Sequence, residues 1–347
     1  MKQALMVVLA VFGLAGGVAA QKSAPLTLVQ TITLPATITG NLDHFGIDVP
    51  GHRLFLAADA AHAVLVIDLQ SGTLVHTITG LGQPRAVLYR PDLGSLYIID
   101  GETGEVKVYD GTSYRSVTST RRSLVKSAVP LMPNADAIGY DPESKLLYVD
   151  SSGPDPKKKT SLFNMVDTSS GYKGTDMEID GDALGAMALE TEGPLIYVNN
   201  TAKHEVDVID REKWAIVAKW PVTMGQDNVA MALDEGAHRL FVGCRNGQIV
   251  VFNTENGQEI KALPIDAGVD DLAFDSLSRR LYAACGGAKG AVDVYQEGEG
   301  DQFKSLGHVT TGPDARDGEL APDLHRYFVS VPAHATDPAK VLVFSIN

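Results

Sequence analysis

Asp43 and His44 stand side by side in "NLDHFGID". An imidazole next to a carboxylate is the smallest acid–base pair a protein can offer, and its charge changes near neutral pH. It is the best catalytic candidate in the chain. Further polar residues follow it at roughly forty to fifty residues, with Gly185 in the place between Asp136 and Asn228: Arg85, Asp136, Asn228, Asp270 with Asp271, and Arg316 with Asp317. If they converge, the aspartates could hold a hard divalent cation through oxygen, or fix an amine or a sugar. Arg85 and Arg316 favour a mixed polar ligand over a pure metal cage. The competing reading is local, since aspartates at such positions also cap turns by accepting backbone amides. His44, His62 and His334 form a candidate transition-metal set if the chain ends close into a ring. His52, His238 and His325 recur at one repeat position and read as structural.

Nucleophilic chemistry finds little support. There is no G-x-S-x-G elbow. "GGAKG" (Gly286–Gly290) opens no helix and reads as a turn rather than a phosphate loop. Two small basic patches, "PKKK" (Pro156–Lys159) and "STRRSLVK" (Ser119–Lys126), could make an anion-binding lip. The two cysteines end "ALDEGAHRLFVGC" and "AFDSLSRRLYAAC", so Cys244 and Cys285 hold equivalent places in successive repeats. Neighbouring packed sheets lie about 10 Å apart, beyond the roughly 7 Å reach of a disulfide between Cα atoms. Both cysteines are expected to be free.

Seven repeats position these residues. An aromatic follows a turn at Phe55, Tyr97, Tyr148, Tyr197, Phe241, Tyr282 and Phe328. Seven residues before it stands Asp48, Arg90, Asp141, Glu190, Asp234, Asp275 or Ala321. After it comes a β-branched strand such as "AVLVIDL" or "EVDVIDR", then a polar strand such as "TLVHTITG". Four short strands per unit, with no helical period, predict an all-β, seven-bladed propeller of antiparallel blades. The expected blades are 42–84, 85–134, 135–183, 184–227, 228–268, 269–314, and 315–347 completed by 26–35. The last unit is one strand short, and "LVQTITLP" matches the fourth strand of the first, so the N-terminal strand should close the ring. Residues just before each first strand would line the top funnel. The long loops Ser151–Ser161 and Pro332–Lys340 would flank it.

"IYVNN" (Ile196–Asn200), "LLYVD" (Leu146–Asp150), "VLVIDLQSGTLVHTITGLGQPRAV" and "VDVIDREKWAIVAKWPV" carry a recognisable wording. Across about residues 26–347 the chain resembles the YVTN-repeat, or YncE-like, β-propellers. The resemblance implies a seven-bladed, usually exported propeller. It implies no single activity, because propellers serve as binding platforms, lyases and lactonases alike.

The opening "MKQALMVVLAVFGLAGGVAAQ" has a basic start, an apolar run and small residues before Gln21. It reads as a signal peptide over residues 1–20, ahead of a single propeller domain over 21–347, and predicts a periplasmic or secreted protein. The net charge of −14 argues against nucleic-acid binding, which needs a basic face. That weighs against a DNA-binding propeller. The pattern favours a monomeric binding or scaffold module for a small polar ligand or a protein partner. The alternative is a lactonase-like hydrolase or lyase in the funnel, assisted by a divalent cation or by Asp43–His44. The residues themselves require no cofactor.

Overall fold

The computed structural model describes residues 24–117 and 128–346. The expected signal peptide and the whole Ser119–Lys126 patch lie outside the described residues. Among the described residues, no helix is long and apolar enough to cross a membrane.

Seven antiparallel sheets follow one another along the chain. Blade one is typical, with strands Phe45–Asp48, Arg53–Ala58, Ala63–Asp68 and Thr73–Ile78 running from inside to outside. The ring closes as the repeat predicts. Leu26–Thr33 pairs antiparallel with Lys340–Ile346, the last strand of the chain, and becomes the outer strand of blade seven. Blade three departs from the pattern, because its outer strand is broken into Tyr172–Lys173 and Met177–Asp180, both on Thr160–Asp167.

The two middle strands of each blade are buried on both faces, which explains their nearly unbroken apolar runs. In blade one Leu54, Leu56, Leu65 and Ile67 pack toward blade seven, while Phe55, Ala57, Val64 and Val66 pack toward blade two. The same alternation recurs around the ring, and the buried apolar residues form one cluster between each pair of neighbours. Polar residues are left to the inner rim, the outer strands and the turns.

Bottom turns obey the repeated acid. Asp48 accepts the Gly51 amide at 3.0 Å, Asp234 that of Ala237 at 3.1 Å, and Asp275 that of Leu277 at 3.1 Å. His52, His238 and His325 occupy left-handed backbone conformations that end these turns, at φ of 52°, 58° and 52°. Gly94, Lys145 and Arg279 do the same in other blades. Their recurrence in the sequence is a backbone requirement rather than a ligand set.

Cys244 and Cys285 are both unbonded and fully buried. Cys244 packs into the interface between blades four and five, and Cys285 into that between five and six. Equivalent register makes both thiols face the preceding blade, so they do not face each other. Burial pushes both thiols up, that of Cys244 to about 12. Thiol reagent should therefore find none in the native protein and two per chain in denaturant. Ile32, 2% exposed in the closing strand, anchors the ring. Ile32→Ala should cost about 2–4 kcal/mol in denaturant unfolding, and a cost near zero would show that the closing strand adds little.

Candidate functional site

The funnel is built by irregularities in the inner strands. Pairing with the second strand slips between Pro84 and Ala86, Ala135 and Ile138, Leu184 and Met187, Asn228 and Ala230, and Val269 and Asp271. The residues left over are Arg85, Asp136 with Ala137, Gly185 with Ala186, Val229 and Asp270. All of them line one cavity of about 280 Å³. A bulge re-aims a side chain out of the ladder, and here five blades use one at the same height. Asp43, His44 and Arg316 enter the lining from blades one and seven.

Blade four contributes bare backbone. A Cβ on Gly185 would meet the Val229 carbonyl oxygen at 2.7 Å and its Cα at 3.0 Å. The inner strands of blades four and five approach too closely for a side chain at that point.

The guanidiniums in the lining are committed. Arg85 donates to Asp43 at 3.1 Å and lies 3.6 Å from Asp59. Arg316 lies 2.9 Å from Asp270, which also binds Arg245. Asp136 differs. Among the described residues it makes no hydrogen bond and no ion pair, although it lines the cavity. Asp43, His44 and Asp136 each bring a ligand atom within 4.8 Å of the other two, a geometry open to a cation.

Behind the lining lies a second polar cluster, the neck. His44 Nδ1 stands 3.3 Å from Asp271 Oδ2, and Nε2 stands 3.6 Å from Asp43 Oδ1. The same Asp271 oxygen accepts the Gly318 amide at 3.0 Å. Asp317 is 1% exposed and joins His44 and Asp271 in a second group within 4.8 Å. Burial opposes the charge on His44, but Asp271 and Asp43 outweigh it and hold the ring well above the usual imidazole range. His44 thus lies between two carboxylates that favour its protonated form. Burial pushes Asp43 to about 6 against the pull of His44, and raises Asp317 well above its usual range. It lifts Glu319, helped by Asp271, to about 8.

Several sequence expectations need correction. Asn228 does not reach the cavity. It is fully buried, and its amide donates to Asn199 at 2.9 Å and to the Glu205 carbonyl at 3.1 Å. The bulge places Val229 there instead. His62 and His334 do not join His44 in any metal-holding group among the described residues. His62 sits in left-handed backbone after the turn Asp59–Ala61 and is turned onto the Gly82 carbonyl, while exposed His334 pairs by backbone with Asp337. Asp271 and Asp317 serve the neck, behind the lining. The lysines of the "PKKK" loop are partly tied down, with Lys159 on Asp182 and Lys158 at 3.9 Å from Glu178.

Arg245, Thr201, Asp59 and Glu319 escaped the sequence reading. The first three stand one residue past a second strand, at Cys244, Asn200 and Ala58. That recurring position was the available signal. Glu319 lies within the short inner strand Gly318–Ala321, where alternation alone does not show that one face lines a channel.

No family model matches the chain. A 111-residue segment is 32% identical to the "Uncharacterized protein YncE" of Salmonella typhi and 31% identical to that of Salmonella typhimurium. The match takes in 31% of this chain and 29% of those proteins, so the chain aligns with less than a third of their length. Among solved structures, the "Crystal Structure of Mitotic Checkpoint Complex" contains a chain similar in fold. It has a TM-score of 0.73 over 99% of both chains at 13% identity. The chain is a seven-bladed β-propeller, and over that 111-residue segment it is similar to YncE.

Raised neck groups set the sign of the pH dependence. Asp43, Asp317, Glu319 and His44 all bind protons more tightly folded than unfolded, so stability falls as pH rises through this range. Depressed carboxylates such as Asp100, held to about 2, take effect only in stronger acid. The thermal midpoint should therefore peak at about pH 5 and decline toward about pH 9. Glu319→Gln should flatten that decline between about pH 5 and about pH 8. An equal slope in the variant would remove Glu319 from the neck's titration.

Proposed function

We propose that this protein is an exported binding propeller whose funnel takes a small polar ligand with a cationic group. The carboxylate of Asp136, which makes no direct hydrogen bond or ion pair among the described residues and meets the Arg85 charge only through space, carries this reading. Aspartates already occupy the arginines of the lining, which makes them fixed walls. Asp136 remains an acceptor in the lining without a direct partner among the described residues, in the same cavity as the backbone left bare by Gly185. A ligand amine meeting Asp136, with hydroxyl or carboxylate groups toward Arg85 and Arg316, would satisfy both signs of charge.

An enzymatic reading rests on His44 between Asp43 and Asp271. An imidazole whose protonated form is favoured is poor at abstracting a proton, and charge bridging suits it better. Thr201, the hydroxyl in the lining, donates to the Asn228 carbonyl at 2.6 Å and so serves the fold. Export is supported by the N-terminal run of the sequence.

Asp136 raises its acidic neighbours Asp43 and Asp150 by repulsion. It also faces the Arg85 charge, so Asp136→Asn should leave the thermal midpoint close to that of the parent. A panel of amino acids, diamines and monosaccharides should contain at least one compound that stabilises the parent. Its affinity for Asp136→Asn should fall at least about tenfold, the scale of one charged hydrogen bond. Equal binding to both proteins, or no binding across the panel, would overturn the reading.

A further inference from the structure

On blade six, away from the funnel, Asp266, Asp293 and His308 bring one ligand atom each within 4.8 Å of one another. His308 Nδ1 lies 3.0 Å from Asp266 Oδ2 and 3.8 Å from Asp293 Oδ1. The fold produces this meeting. Asp293 and His308 are cross-strand partners in the two outermost strands, and Asp266 enters from the loop after blade five. Beside them opens a cavity of about 470 Å³, lined by Asp266, His308, the Gly287–Gly290 turn and Cys285.

Asp293 makes this more than a surface cluster. It is only 9% exposed. Its Oδ2 accepts the Asp266 amide at 2.8 Å and lies 3.9 Å from the Cys285 sulfur. Its Oδ1 accepts no hydrogen bond among the described residues and faces His308. A buried carboxylate needs a compensating cation, and the nearest charged side chain besides His308 is another carboxylate. Lys289 also lines the cavity but is exposed.

We propose that Asp266, Asp293 and His308 form a binding site for a divalent transition-metal ion of the zinc class. Two carboxylate oxygens and one imidazole nitrogen match the three-protein-ligand sites of zinc, with a fourth position open to water or to a ligand from the cavity. Magnesium and calcium prefer larger all-oxygen sets. The metal supplies the missing positive charge beside Asp293. Cys285, fully buried, forms the floor behind Asp293 and is not itself a ligand. The site stands apart from the funnel and does not depend on the function proposed for it.

The test is titration of the full chain with zinc alone, above neutral pH so that the imidazole can bind as the neutral base. The parent should gain one zinc per chain that survives a hundredfold excess of magnesium. His308→Ala and Asp266→Asn should each weaken it by more than about tenfold. Both side chains are about half exposed, so the variants should keep the parent's metal-free thermal midpoint. Asp136→Asn, in the funnel, should leave this zinc in place. Three results would overturn the proposal: no zinc on the parent, undiminished zinc on both blade-six variants, or loss of the zinc in Asp136→Asn.

Discussion

Face-to-face packing of sheets that are apolar on both sides is the constraint from which the rest of this molecule follows. A strand such as Arg53–Ala58 cannot satisfy Leu54 and Leu56 on one face and Phe55 and Ala57 on the other within its own sheet. Each blade needs a neighbour on both sides, and only a closed ring gives every blade two. The pairing of Leu26–Thr33 with Lys340–Ile346 is part of the same requirement, because it completes the sheet between blades six and one.

Closure also determines where chemistry can sit. With both faces of the middle strands consumed by packing, polar groups are confined to the outer strands, the turns and the inner rim. At the rim the chain breaks its own ladder. The bulges at Arg85, Asp136, Gly185, Val229 and Asp270 give up regular pairing and turn those residues into a common space. Outer strand pairs such as Ala63–Asp68 with Thr73–Ile78 bulge too, but the inner-pair bulges of five blades turn their extra residues into one cavity, the kind of local irregularity found beside sites. The neck behind the lining is supported by the His44 bridge between Asp43 and Asp271, which fastens blade one to blade six across blade seven.

The repeat was legible because its physical causes are local. A turn acid such as Asp48, a left-handed residue such as His52 and an aromatic such as Phe55 each answer to backbone geometry within a few residues. The site was legible only in part. Arg85, Asp136 and Asp270 were found by their place before an inner strand. A bulge shifts that place by one residue, however, and the sequence carries no mark of it. The shift exchanged Asn228 for Val229 and moved Asp271 behind Asp270. His62 and His334 failed as partners of His44 for a related reason: proximity of blades does not fix the direction of side chains, and local turns claimed both. Blade six shows the converse. His308 reads as an ordinary outer-strand residue until cross-strand register sets it opposite Asp293.

Net charge is a poor guide to the funnel itself. The chain carries −14 overall, yet the lining sets Asp43, Asp136 and Asp270 against Arg85, Arg245 and Arg316. The acids of the neck add less negative charge than their number suggests, because burial keeps protons on Glu319 and raises Asp317. A ligand entering this space meets alternating fixed charges a few ångströms apart, whose fields cancel over longer distances. Such a surface selects by the placement of a ligand's own charges. It favours a compact molecule that presents both signs, or a cation flanked by hydroxyls, over a long polyanion drawn in by a uniform potential. Asp136 is the lining carboxylate without a direct hydrogen bond or ion pair among the described residues, and for that reason it is the residue through which the proposed ligand would be recognised.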